Sequence, residues 1–213
     1  MGIVLPRLYV ILDSGLLKIP PQQAAREFAE AGVRLMQYRD KTGPVRELLR
    51  ISQITMQGLI PYGASLIVND RADVAVLAGA AGVHVGQDDL EPEQARAILG
   101  NEKLVGVSTH NLEQFRRAAE TSADYIAVGP IFCTKSKKNP DPVVGIELVK
   151  QVRKLTSKPI VAIGGITLET ARAVIDAGAD TVAVISDIVC AASPVERASQ
   201  YLKVLDAANA APV

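Results

Sequence analysis

Tryptophan is absent from the 213 residues, and three Phe and five Tyr supply all the aromatic content. With 48% of the chain apolar, the interior has to be filled by Val, Ile, Leu and Ala. Cysteine is scarce as well. Cys133 and Cys190 lie far apart with no His pair nearby, which excludes a disulfide framework and a zinc site. Neither charge sign is in excess, with 23 basic against 23 acidic side chains, and no Lys/Arg run is interleaved with aromatics. A nucleic-acid surface is not expected. Nor does any apolar stretch reach the length of a membrane span. Met1 to Leu12 is apolar but short, broken by Pro6 and Arg7, and lacks a small-residue cleavage site, so it reads as a first strand rather than a signal peptide. A soluble cytoplasmic protein with one domain over residues 1–213 is the expectation.

What is present is a rhythm. Apolar strand-like runs occur at Leu8 to Leu12, Arg34 to Arg39, Ser65 to Asp70, Gly82 to Gly86, Leu104 to Thr109, Tyr125 to Gly129, Pro159 to Ile163 and Thr181 to Ser186. Helical stretches follow each of them: Pro21 to Ala31, Pro44 toward Tyr62, Arg71 to Ala80, Glu91-Pro92 to Gly100, Asn111 to about Thr121, Gly145 onward, Glu169 to Ala177, and Pro194 to Ala207. Runs without alternation imply strands buried on both faces, hence a parallel sheet. Eight such units predict a compact (β/α)8 TIM barrel. An open doubly wound sheet is the alternative, disfavoured by the missing GxGxxG turn after the first strand.

In such a barrel the strands' C-terminal ends carry function, and here those ends are polar. Gln37, Arg39 and Lys41 stand on alternate positions and so project to one side, a set suited to phosphate or diphosphate. A solvated strand end is the bland reading of that stretch alone. Asn69-Asp70-Arg71, Gln87-Asp88-Asp89, Ser108-Thr109-His110, Thr134 to Lys138, Gly164-Gly165 and Ser186 continue the ring. Asp70 and Asp89, from neighbouring strands, can share Mg²⁺ with phosphate oxygens; the competing reading makes them helix caps. The glycine pair after strand seven, with Ile185-Ser186 after strand eight, suits a second phosphate bound through backbone N–H groups; a plain tight turn is the competitor. His84 is expected to be a buried core residue, His110 is open between substrate contact and structure, and Cys133 has no nucleophile pattern. Lys138, Asp141 and Pro142 are expected to shape a lid.

Five segments together resemble the thiamine-phosphate synthase family: Gln37-Tyr38-Arg39-Asp40-Lys41, Val68-Asn69-Asp70-Arg71, His84 through Asp89, Gly129-Pro130-Ile131-Phe132 with Thr134-Lys135-Ser136-Lys137, and Ala162-Ile163-Gly164-Gly165-Ile166. They lie in family order and span almost the whole chain. The resemblance implies a barrel that joins 4-amino-2-methyl-5-(diphosphooxymethyl)pyrimidine to a thiazole phosphate, giving thiamine monophosphate and diphosphate. It implies that Gln37, Arg39, Lys41, Asn69, Ser108 and Lys137 hold the pyrimidine diphosphate, with Arg39 and Lys137 catalytic. Mg²⁺ falls to Asp70 and Asp89, and the thiazole phosphate to Thr134, Ser136, Gly165, Ile185 and Ser186. Two departures stand out: Asp187 where a small residue is expected, and Asn111 where a hydroxyl is commoner. A thiazole tautomerase of the same barrel family and a non-catalytic sensor of thiazole or thiamine phosphate are the rivals. The tautomerase has no need for both Asp70 and Asp89 or for the Gln-x-Arg-x-Lys cluster, and an acidic pair aimed at a leaving group argues against the sensor.

Overall fold

A computed structural model describes residues 4–134 and 141–206; Lys138 of the expected lid and the tail from Ala208 lie outside them. The chain runs β1 (Leu8–Asp13), α1 (Pro21–Glu30), β2 (Leu35–Arg39), α2 (Val45–Leu59), β3 (Ser65–Asn69), α3 (Ala72–Leu77), β4 (Gly82–Val85) and α4 (Pro92–Leu99). It continues through β5 (Leu104–Thr109), α5 (Leu112–Glu120), β6 (Tyr125–Val128), α6 (Gly145–Arg153), β7 (Ile160–Ile163), α7 (Leu168–Asp176), β8 (Thr181–Val184), α8 (Ser186–Val189) and α9 (Pro194–Asp206). Each strand pairs in parallel with the next, and β8 returns to β1, closing the barrel.

The two faces of each strand part company. Leu8, Val10, Leu12, Met36, Leu66 and Val68 face outward into the layer shared with the helices. Tyr9, Ile11, Leu35, Ile67, Tyr125, Ala127, Val161 and Ala183 fill the lumen, as period-two alternation requires. Burying one such aliphatic side chain contributes roughly 1.5–3 kcal/mol, so the closed wall is held mainly by Val, Ile, Leu and Ala. The helices complement it with apolar stripes: α1 starts with Pro at its first turn and buries Ala24, Ala25, Phe28 and Ala29. Asn111 caps α5 by accepting from the Gln114 N–H at 2.9 Å, and Glu91 with Gln94 forms a capping box on α4.

Two elements, α3 and β8, depart most from expectation, each for a local reason. Helix α3 begins only at Ala72 because Asp70 at φ 61 and Arg71 at φ −100, ψ 89 lie outside helical space, and it ends at Leu77 before Gly79 turns at φ 67. Strand β8 stops at Val184, and Ser186–Val189 coils into a single turn, α8. Its β-branched Ile188 and Val189 gave that turn no helical signature.

One glycine is demanded by the lumen. Gly106 on β5 lies in register with Tyr125 on β6, and a Cβ at 106 would fall within the Tyr125 ring. Gly106→Ala is therefore expected to cost about 1–3 kcal/mol through overpacking, read as a lower urea midpoint at unchanged m-value.

Candidate active site

The inward side chains of the strand C-termini open into a cavity of about 520 Å³. Gln37, Arg39, Lys41, Asn69, Asp70, Asp89, Ser108, Thr134 and Ile185 all border it. A second pocket of about 450 Å³ adjoins it, sharing Thr134, Ile163, Gly164, Ala183 and Ile185 and adding Gly165 and Ser186. The described residues expected to hold the pyrimidine diphosphate border the first, while of those expected for the thiazole phosphate Thr134 and Ile185 border both and Gly165 and Ser186 only the second. Ser136 and Lys137 lie outside the described residues.

The cations on the β2 side are held by acids. Arg39 pairs with Asp13 of β1, a partner with 7% exposure that sequence reasoning did not single out. Parallel pairing sets Asp13 directly beside Arg39, and that register was the only signal that could have found it. Lys41 pairs with Asp70. Gln37 is 2% exposed and donates through Nε2 to the Tyr9 hydroxyl at 2.8 Å, so its amide serves the cavity floor while Arg39 and Lys41 serve the rim.

Asp70 is, among the described residues, the one non-glycine at positive φ. That conformation costs on the order of 1–3 kcal/mol and gathers at functional sites. Its N–H donates to the His84 carbonyl at 2.8 Å, which ties the strained turn to β4. Burial pushes the Asp70 pKa up; the Lys41 ammonium opposes this, and the facing Asp89 carboxyl adds to it. Asp89 in turn accepts from the Gly86 N–H at 2.9 Å. Neither acid caps a helix: α3 has no side-chain cap, and α4 is capped by Glu91. The cap reading falls away, leaving two carboxylates aimed at one another. No group of three or more His, Cys, Asp or Glu able to hold a metal occurs among the described residues. Two hard oxygen donors fit a Mg²⁺ ion whose remaining positions go to phosphate and water, and they do not fit a self-sufficient protein cage.

Across the floor, His84 is 8% exposed and makes contacts of 3.1 Å from Nδ1 to the Tyr125 hydroxyl and 2.8 Å from Nε2 to Ser108 Oγ. It is a buried, hydrogen-bonded residue, as expected, and it also borders the cavity. Gln87 fixes the Ser108 backbone through its carbonyl at 2.7 Å. His110 contacts the Gly129 carbonyl at 2.7 Å and Asp141 at 3.5 Å, which ties the β5 rim to the far end of the loop after β6. Cys133 and Cys190 are exposed free thiols.

At the second pocket Gly165 stands at φ 64, and a Cβ there would strike the backbone of Phe132 and Cys133. Only glycine lets these loops meet so closely. Asp187 explains its own departure from the expected small residue. Its carboxylate accepts from the Tyr201 hydroxyl at 2.7 Å, the Leu168 N–H at 3.2 Å and Arg197 Nη2 at 3.2 Å. It thereby bolts α8 to α7 and α9. Asn111, the other departure, is the cap of α5.

Residues 8–188 match the family model described as thiamine monophosphate synthase. The chain is 53% identical over 209 residues to a thiamine-phosphate synthase of Koribacter versatilis, covering 96% of this chain and 98% of that one. It is 40% identical over 208 residues to one of Agrobacterium fabrum, covering 95% and 94%. Among solved structures, thiamine phosphate pyrophosphorylase from Pyrococcus furiosus superposes with a TM-score of 0.86 at 33% identity, covering 95% of this chain and 96% of that chain.

The Asp187 bolt predicts a stability effect. Asp187→Ala strips the buried Tyr201 hydroxyl of its short partner and is expected to cost about 1–3 kcal/mol, read as a fall in the urea midpoint. Asp187→Asn, which keeps an acceptor oxygen, is expected to lose less.

Proposed function

The chain belongs to the thiamine monophosphate synthase family, and on that premise we propose that its cavity joins 4-amino-2-methyl-5-(diphosphooxymethyl)pyrimidine to a thiazole phosphate. It is an enzyme of the thiamine-phosphate synthase type, carrying out the condensation step of thiamine biosynthesis. The substrate positions, the metal and the course of the reaction are our reading. The observation that carries this reading is the pair of adjoining pockets, one walled by Arg39, Lys41, Asp70 and Asp89 and the other by Gly165 and Ser186.

The pyrimidine diphosphate takes the first pocket. Arg39 and Lys41, oriented by Asp13 and Asp70, meet its phosphates, with Asn69 beside them and Ser108 and Gln37 toward the ring. At about 4 Å each cation–oxyanion pair is worth roughly 4 kcal/mol at the effective dielectric of a partly buried site. These contacts strengthen as charge collects on the leaving group, so they lower the barrier instead of only tightening binding. Asp70 and Asp89 hold Mg²⁺, which when bound supplies Lewis-acid stabilisation of the departing diphosphate.

The carbon–oxygen bond to diphosphate breaks and its electron pair leaves with the oxygen. The aminopyrimidine ring delocalises the resulting methyl cation. Ile11, Ala127, Val161 and Ala183 border the cavity and keep water from that carbon. The thiazole nitrogen then forms the new bond with its lone pair, held in line by its phosphate at Thr134, Gly165, Ile185 and Ser186. The bond exchange transfers no proton from the thiazole nitrogen, so this scheme assigns no general base. Lys137 and Ser136 enter this scheme from their sequence positions alone, Lys137 on the diphosphate and Ser136 on the thiazole phosphate. We place the reaction in the cytoplasm, where two exposed thiols stay reduced.

The test is diphosphate release from the two substrates mixed with and without Mg²⁺. Release that requires both substrates and the ion is expected. Silence in the complete mixture overturns the reading and leaves the tautomerase or the sensor in its place. Asp70→Ala and Asp89→Ala are expected to abolish Mg²⁺-dependent turnover, and near wild-type rates in either remove the metal assignment. Asp70→Gly relieves the positive φ, so it is expected to keep or raise the unfolding midpoint while losing turnover. Lys137→Ala is expected to lower kcat/KM more than it weakens thiazole phosphate binding.

A further inference from the structure

The floor of the cavity holds a chain of hydrogen bonds that spans the barrel lumen. Gln37 Nε2 donates to the Tyr9 hydroxyl at 2.8 Å; the Tyr9 and Tyr125 hydroxyls stand 3.3 Å apart; Tyr125 meets His84 Nδ1 at 3.1 Å; and His84 Nε2 meets Ser108 Oγ at 2.8 Å. Ring packing fixes the members in place. Tyr9 and Tyr125 lie edge to face with centroids 6.3 Å apart, and His84 stacks on Tyr125 at 5.5 Å. Burial raises the pKa of both phenols, so each keeps its proton and remains a donor.

The chain has a direction. Tyr9 already accepts from Gln37, and its single proton has Tyr125 as the acceptor beside it. Tyr125, accepting from Tyr9, has His84 Nδ1 for its own proton. An Nδ1 that accepts leaves the neutral imidazole with its hydrogen on Nε2, directed at Ser108 Oγ. The Ser108 hydroxyl, receiving that hydrogen bond, is left to donate. We propose that His84 is a positioning residue, locked by Tyr9 and Tyr125 in its Nε2–H tautomer so that Ser108 presents a hydroxyl donor to an acceptor nitrogen of the substrate's aromatic ring. The exocyclic amino group, itself a donor, is thereby directed elsewhere. Specificity for a ring with a nitrogen acceptor is written into the lumen by residues on β1, β4 and β6, away from the β5 residue that touches it. Sites built to hydrogen-bond a substrate reject analogues lacking the partner, because the buried protein group is then left unpaired.

This inference deepens the proposed function and rests on it for the identity of the ring, yet its first measurement does not need turnover. Nitrogen-15 spectra of the histidine-labelled enzyme are expected to place His84 Nδ1 in the unprotonated range and Nε2 in the protonated range. A protonated Nδ1 with a bare Nε2 overturns the proposal, whatever the enzyme catalyses. The second measurement uses Tyr125→Phe, which keeps the ring packing and removes the donor. KM for the pyrimidine diphosphate is expected to rise about tenfold, the loss of one hydrogen bond to a partly buried group. KM for the thiazole phosphate is expected to stay within about twofold, and the fraction of His84 protonated at Nδ1 is expected to increase. An unchanged pyrimidine KM, or equal changes for both substrates, overturns the positioning role. Failure of the wild-type enzyme to release diphosphate strikes the functional reading and not the tautomer.

Discussion

The carboxyls of Asp70 and Asp89 face one another across two adjacent strands, and burial pushes the Asp70 pKa up, with the Lys41 ammonium opposing this and Asp89 adding to it. Lys41 pairs with Asp70. Much else follows from holding the two carboxyls close together. The strained backbone at Asp70, its amide bond to the His84 carbonyl, and the Gly86 amide on Asp89 are the means. A stretch of chain that accepts positive φ at a non-glycine residue is one whose surroundings over-determine it. Here the surroundings are two adjacent parallel strands with fixed register.

The electrostatics of the resting wall are those of exchanged partners. Arg39 is paired with Asp13, and Lys41 with Asp70, so little bare charge faces the apolar lumen. Such pairs are worth little net free energy when half solvated, since desolvation offsets much of the attraction. What they provide is orientation: guanidinium and ammonium are extended toward the rim before a polyanion arrives. Preorganisation of this sort lowers the reorganisation that charge development otherwise demands.

The eight units and their order were legible because buried parallel strands are written as unbroken aliphatic runs, and helices close with glycine or open with proline. Rim residues such as Gln37, Arg39, Asn69, Asp70 and Ser108 were legible because polar groups at strand ends interrupt those runs. Asp13 was not, since an acid closing an apolar run looks like an ordinary strand terminus until register places it beside Arg39. Tyr9 and Tyr125 were hidden for the opposite reason: an aromatic inside an apolar run reads as core, and its hydroxyl finds partners only across the barrel. The turn α8 was hidden by its own β-branched residues, which continue the strand pattern of β8. Asp187 looked like an intrusion because its partners Tyr201 and Arg197 come from a later helix.

Gly106 and Tyr125 share one volume of the lumen. The missing side chain on β5 is therefore the socket for a ring from β6, and the two positions form a single steric unit. Neither can drift alone: bulk gained at 106 has to be matched by bulk lost at 125, and with that ring goes the hydroxyl beside His84. In descendants of this chain the pair is constrained to change in concert, so the smallest residue in the barrel wall acts as custodian of a polar contact it never makes.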